Sequence, residues 1–158
     1  VHDTDIGGGR IIGEACHYID LMLYLVGFEI TNVVATCMGQ KVSGKANDDN
    51  ASITINFADG SFGTINYFSN GSNAYPKEAI NVFSGGKVLS LDNFRVLRGF
   101  GWKNFKTMRT WQQDKGQKNC VKSFIDGIKT NKPAIPFNEL YEVASLSIDI
   151  AENLRKQS

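Results

Sequence analysis

Long apolar runs are missing from this chain. None approaches the ~20 residues needed to span a bilayer, so no membrane association is expected. Charge of one sign is missing too. Seventeen Lys and Arg stand against 16 Asp and Glu, a formal net charge of +1. Such a chain has no global field to draw in nucleic acid or an anionic surface, and nucleic acid is not an expected partner. Cysteine is scarce and scattered: Cys16, Cys37 and Cys120 are odd in number and form no CxxC pair. That excludes a zinc ribbon and a thioredoxin-type site, and no metal centre is expected. Three lone thiols fit a reducing compartment, so the chain reads as cytoplasmic, with each Cys a small buried hydrophobe. The dinucleotide fingerprint GxGxxG and the phosphate-binding GxxxxGK[ST] are also absent, and no cofactor-binding residue is assigned within the chain.

What is present is ordinary for a folded domain. In 158 residues, 42% are hydrophobic and 21% charged, close to the average for a globular domain. The length suits one domain, 1–158, able to bury about two-thirds of its unfolded surface. Residue one is Val, not Met, and the chain reads as a piece of something larger.

Periodicity divides the chain into helix, strands, then helices. Ile12, Ala15, Cys16, Ile19, Met22, Leu23 and Val26 recur at three- and four-residue steps, which predicts a helix over about 11–26. Gly27 sits where a left-handed glycine would close it. Residues 29–38 are rich in Val, Ile and Thr and read as a strand, followed by a polar loop over about 39–50. Ala51, Ile53, Ile55 and Phe57 alternate with Ser52, Thr54 and Asn56, so one face is buried and the other small and polar. Asp59-Gly60 signals a hairpin into a strand over 62–68. Gly85-Gly86 marks a second hairpin between 79–83 and 87–91, and weaker strands are expected at 94–97 and 105–111. Val121, Phe124, Ile125 and Ile128 make a short helix ended by Asn131-Lys132-Pro133. A longer helix runs from Phe137 to Leu154. The expectation is an α+β fold: a predominantly antiparallel sheet with helices packed on one face.

The first helix carries the chemistry. His17 lies almost opposite its apolar stripe, with Glu14 and Asp20 each three residues away, a spacing at which side chains touch. Tyr24, Leu21 and Leu25 share that side. A helix apolar nearly all round is expected to be covered on both sides. This domain's sheet covers one. Another domain or subunit is expected on the other, with His17 and its two carboxylates facing the gap. Such a histidine suits proton transfer; a structural histidine satisfied by a carboxylate is the other reading. Gly7-Gly8-Gly9-Arg10, just before the helix, would let a ligand approach closely, and Arg10 at a helix N-terminus would suit an anion.

The stretch Gly7-Gly8-Gly9-Arg10-Ile11-Ile12-Gly13-Glu14-Ala15-Cys16-His17-Tyr18-Ile19-Asp20-Leu21 resembles the start of the C-terminal domain of the Gfo/Idh/MocA oxidoreductases. These are two-domain, nicotinamide-dependent enzymes acting mostly on sugars and cyclitols. Phe57-Ala58-Asp59-Gly60-Ser61, Pro76-Lys77-Glu78 and Asp92-Asn93-Phe94 look like the branch associated with NDP-sugars and surface polysaccharides. The resemblance implies a Rossmann domain before Val1, absent from this chain, which binds NAD or NADP. It implies that His17 is the catalytic proton donor or acceptor at the substrate and that Asp20 is the family's second acid. It also implies a substrate and oligomerisation domain that assembles through its sheet face. Ser52, Thr54, Asn56, Thr64 and Asn66 would suit that face, with plain solvent exposure as the alternative. The chain alone is expected to be inactive and to bind no NAD.

One departure matters. Gly13 stands where the family pattern has an acid, and Glu14 is displaced by about 100° round the helix. A non-catalytic, self-associating domain with a vestigial site is therefore the second reading. Tyr75 and Lys77, in a loop between hairpins, are candidates for contacting a hydroxylated or anionic substrate, or else ordinary loop residues. Trp102 and Trp111 would mark a carbohydrate-binding sheet if exposed, but aromatics placed on strands are more often core.

Overall fold

A computed structural model describes residues 8–27, 29–38 and 49–157. The polar loop expected over 39–50 lies mostly outside the described residues, as does Gly7. In chain order the elements are a π-helical turn (Ile11–Ala15), α1 (Cys16–Val26), β1 (Ile30–Cys37), β2 (Asn50–Phe57), β3 (Phe62–Phe68), β4 (Ala79–Ser84), β5 (Lys87–Asp92), β6 (Val96–Phe100), β7 (Thr107–Arg109), α2 (Gln117–Thr130) and α3 (Phe137–Gln157). One compact unit comprises Val1–Asn70 and Ile135–Ser158, the other Gly71–Ala134.

In the first unit, β1, β2 and β3 form an antiparallel sheet in that order. The strict alternation of β2 is realised in full: Ala51, Ile53, Ile55 and Phe57 are all buried. Against them lie Ile11, Ala15 and Ile19 from the first helix and Ile150, Ala151 and Leu154 from α3. The helices thus cover one face, as the periodicity predicts. On the other face Ser52 donates to Asn66 Oδ1 at 3.0 Å, and the Thr54 and Thr64 hydroxyls meet at 3.1 Å. Val34, Phe62 and Phe68 share this outer face and are exposed.

Local chemistry closes these elements where expected. Gly27 adopts φ 71° and its N–H bonds the Leu23 carbonyl at 2.8 Å, ending α1. In the β2–β3 turn the Asp59 carboxylate accepts the Ser61 N–H at 2.9 Å and its hydroxyl at 2.8 Å. Those bonds, the backbone one first, hold the Asp59 carboxyl below its ordinary range.

The second unit is a four-stranded antiparallel sheet, β4-β5-β6-β7, with α2. The strands therefore form two sheets where the sequence predicts one. The reason is the segment between β3 and β4, a run of bends and turns from Ser69 to Glu78 that carries Gly71 and Pro76. None of the described residues of this unit is buried, and the α2 stripe of Val121, Phe124, Ile125 and Ile128 is exposed throughout. Trp111 also departs from the core placement expected of it. It falls past the end of the three-residue edge strand β7 and is 93% exposed.

The turn between β5 and β6 is clamped. Asn93 and Phe94 take positive φ of 48° and 51°, which non-glycine residues rarely adopt. Asn93 N–H bonds the Glu78 carbonyl at 2.7 Å. Gln113 Nε2 donates to Asn93 Oδ1 at 3.0 Å, and Lys115 Nζ meets Glu78 Oε1 at 2.5 Å. The fragments Pro76-Lys77-Glu78 and Asp92-Asn93-Phe94 are thus joined through a structural clamp.

Among the described residues no helix is long and apolar enough to cross a membrane. Truncating Ile53, at zero exposure beneath the helices, is expected to cost about 2–5 kcal/mol as Ile53→Ala. Thr54→Ala, one residue along on the outer face, should cost less than about 1 kcal/mol. Urea melts of the two variants check the pair.

Candidate functional site

The first helix opens on a wide turn. The Cys16 N–H reaches the Ile11 carbonyl, the i→i+5 bond of a π-turn, and the ordinary α pattern follows from Cys16. Ile11, Ala15 and Ile19 form the inward line, each at 0% exposure. That leaves Glu14, His17 and Asp20 exposed on the outward side. Tyr24 and Leu25 are exposed at 83% and 50% on the following turn, and Leu21 is half-buried. His17 is therefore open to solvent next to uncovered apolar surface.

The predicted contacts of His17 with Glu14 and Asp20 do not form. No hydrogen bond or ion pair joins His17 to either carboxylate. In an α-helix, residues three apart lie ~60° apart on the wheel. A π-turn advances less per residue, which swings Glu14 further from His17. Glu14 turns to β3 instead: the Tyr67 hydroxyl donates to Glu14 Oε2 at 2.5 Å. Tyr67 pairs with Ala51 in register, so it projects from the helix-bearing face of the sheet. Arg10 completes the group. It hydrogen-bonds to Tyr67, and its Nε lies 3.3 Å from Asp49 Oδ2. The phenol thus accepts from a guanidinium and donates to a carboxylate.

The electrostatics follow from this arrangement. Tyr67 is pushed up to about 12, first by burial and then by its bond to Glu14, with Arg10 opposing. Arg10 is raised further above its ordinary value, chiefly by its bond to Tyr67. Burial raises the Cys16 thiol, which keeps it protonated and a poor nucleophile.

Tyr67 is the residue that the sequence reading missed. Its signal was available: Ile65 and Tyr67 alternate onto the inner face of β3, and a tyrosine on such a face needs a partner for its hydroxyl. Tyr75 and Lys77 belong to the other unit, where both are exposed in the segment between β3 and β4. Arg10, Glu14, His17 and Asp20 therefore share the start of the first helix, while Tyr75 and Lys77 are carried elsewhere in the chain.

Gly8 is closed in by the chain's own residues. Gly8 and Gly9 take φ of 68° and 85°, but a Cβ on Gly8 would meet Ile12 Cδ1 at 3.1 Å. The Gly8 carbonyl accepts Arg155 Nη2 at 2.5 Å. The close approach that Gly8 allows is to the chain's own Ile12. Among the described residues no group of three or more His, Cys, Asp or Glu is arranged to hold a metal.

A phenol whose value is raised holds its proton longer folded than unfolded. The stability this gives is complete below about 10 and is lost as pH rises through about 12. Ultraviolet titration of the five tyrosines should show one late step near 12. Tyr67→Phe should remove that step, and Glu14→Gln should move it down.

The profile of the GFO/IDH/MocA C-terminal domain matches residues 1–88. Among solved structures, levoglucosan dehydrogenase in complex with NADH and L-sorbose is similar with a TM-score of 0.72 and 22% identity, covering 95% of this chain and 49% of that one. UDP-N-acetylglucosamine 3-dehydrogenase from Acidithiobacillus ferrooxidans is similar with a TM-score of 0.70 and 16% identity, covering 94% and 47%. A probable dehydrogenase from Thermotoga maritima gives 0.69 and 19%, covering 97% and 49%. The chain spans about half the length of each of these structures. No curated protein matches it. With more than half of its residues matched, together with the antiparallel α+β architecture, the chain belongs to the GFO/IDH/MocA C-terminal domain family.

Proposed function

We propose that this chain is the substrate-binding and oligomerisation domain of a cytoplasmic nicotinamide-dependent oxidoreductase. Its substrate class is a sugar, a cyclitol or an NDP-sugar. The observation that carries the reading is His17 standing exposed beside uncovered Tyr24 and Leu25 in a member of this family. An imidazole at an apolar surface awaiting cover is suited to a site that a second domain completes. A preceding Rossmann domain would supply that cover and hold NAD or NADP. Two supports are the chain's coverage of about half of its structural neighbours and the NADH and L-sorbose named for one of them.

When bound, the cofactor would accept or deliver the hydride at the substrate carbon. The residues of this chain would handle the proton and the sugar. His17 would take the hydroxyl proton on oxidation, or return it to the carbonyl oxygen on reduction, so that no full alkoxide charge develops. Asp20 would offer an acceptor beside it, and Arg10 and Glu14, tied to Tyr67, would border the site. Tyr75 and Lys77, in the other unit, would be separate candidates for contacting a sugar hydroxyl or phosphate. Gly13 removes the usual acid from the α1 side, leaving proton transfer to His17.

The test joins this chain to a Rossmann domain of the family. Levoglucosan and a panel of UDP-sugars are then screened with NAD and NADP. Turnover of one substrate, with His17→Ala slower by about two orders of magnitude, is the expected result. A panel inert throughout, with the chain still self-associating, would favour a vestigial site. The chain alone should show neither turnover nor NAD binding by calorimetry.

Self-association is assigned to the outer face of the three-stranded sheet, where the Ser52–Asn66 and Thr54–Thr64 pairs are flanked by exposed Val34, Phe62 and Phe68. Light scattering should report a multimer for the unaltered chain. A Thr54→Arg, Thr64→Arg double variant should run as a monomer with an unchanged circular-dichroism spectrum.

A further inference from the structure

We propose that Tyr67 is a positioning residue for His17: its hydroxyl diverts the Glu14 carboxylate and so keeps the imidazole free of any carboxylate partner. This rests on the reading of His17 as the proton-transfer group. The geometry behind it is local and complete. Glu14 precedes His17 by three residues, the spacing at which side chains on a helix meet, although the π-turn widens the angle between them. It nevertheless bonds Tyr67, at 2.5 Å. Tyr67 is fixed by the β2–β3 register opposite Ala51, whose side chain is 1% exposed in the core. It is steadied from the other side by Arg10, which Asp49 holds in turn. The donor to Glu14 is therefore anchored to the sheet rather than to the helix.

The consequence concerns what His17 can bond. An imidazole paired with a neighbouring carboxylate is held in one orientation and charged more readily. An unpaired imidazole keeps both nitrogens available for a ligand hydroxyl and for whatever covers the site. The carboxylate on the other side, Asp20, makes no bond to His17 either. In a chain where Gly13 replaces the family's acid, Glu14 is the nearest preceding carboxylate, and Tyr67 takes it out of play.

Diethyl pyrocarbonate acylates neutral imidazole, and the chain has two histidines, His2 and His17. A His17→Ala variant gives the share that belongs to His2. Near pH 7 the unaltered full chain should react at His17 at the rate of an exposed, unpaired imidazole. Tyr67→Phe frees Glu14 to pair with the imidazolium, and should slow the reaction by about threefold or more. Tyr67→Phe with Glu14→Gln should restore it, and Glu14→Gln alone should leave it unchanged. A merely structural role for Tyr67 would not produce rescue by removal of a second residue.

A Tyr67→Phe chain that reacts at the unaltered rate, or one that Glu14→Gln fails to rescue, overturns the proposal. So does Glu14→Gln accelerating the reaction by itself, because the carboxylate would then already be paired with His17. That single variant also decides the matter should Tyr67→Phe not fold. The measurement needs no substrate, so its outcome is read separately from the turnover panel.

Discussion

The alternation of β2 is the constraint on which the rest depends. Ala51, Ile53, Ile55 and Phe57 make one face of the sheet a continuous apolar surface. At roughly 25 cal/mol per Å², leaving such a face wet would cost more than a small domain's whole margin of stability. Ile11, Ala15 and Ile19 are drawn onto it, with Ile150, Ala151 and Leu154 beside them. Once those positions are fixed inward, helical geometry leaves no choice about Glu14, His17 and Asp20. They must face out. The exposure of the candidate site is thus a product of core packing, set by residues that take no part in chemistry.

The same logic separates the two units. The first has a true interior, reaching 0% exposure at seven hydrophobic positions and 3% at Phe57. The second has none among its described residues, although α2 carries a regular stripe of Val121, Phe124, Ile125 and Ile128. Its strands are joined by their backbone ladders, and polar contacts clamp one turn: the Glu78–Lys115 pair, and Gln113 bracing the positive-φ turn at Asn93 and Phe94. Hydrogen bonds can fix the shape of a turn, but they contribute little net free energy next to apolar burial.

Periodicity made most of the fold legible. The 3.6-residue stripe found the first helix, the two-residue alternation found β2, and the Asp59-Gly60 turn found β3. Gly27, Asp59-Gly60 and Gly85-Gly86 located the ends and turns because positive φ is costly for other residues. Pattern could not show whether seven strands share one ladder, since pairing between distant strands leaves no local trace. Nor could it show the π-turn. That feature depends on where the helix must meet the sheet, not on any residue preference within Ile11–Ala15. The candidate site was half legible for the same reason. His17 and its exposure follow from the helical wheel alone. The Arg10–Tyr67–Glu14 group joins residues more than 50 positions apart, and only the fold brings them together.

The π-turn and Tyr67 act together on Glu14, one by geometry and the other by chemistry. The wide turn moves the carboxylate off the bearing of His17, and the phenol then gives it a better partner than solvent. A hydrogen bond to a charged acceptor is about twice as strong as a neutral one. Burial of the phenol also keeps its proton in place across the physiological range, so the donor is always ready. Arg10 adds its own charge to the group, bonded to the Tyr67 oxygen and beside Asp49. Two acids near an imidazole therefore need not make a charged triad. Here the sheet claims one of them, and the histidine is left to answer to whatever covers it.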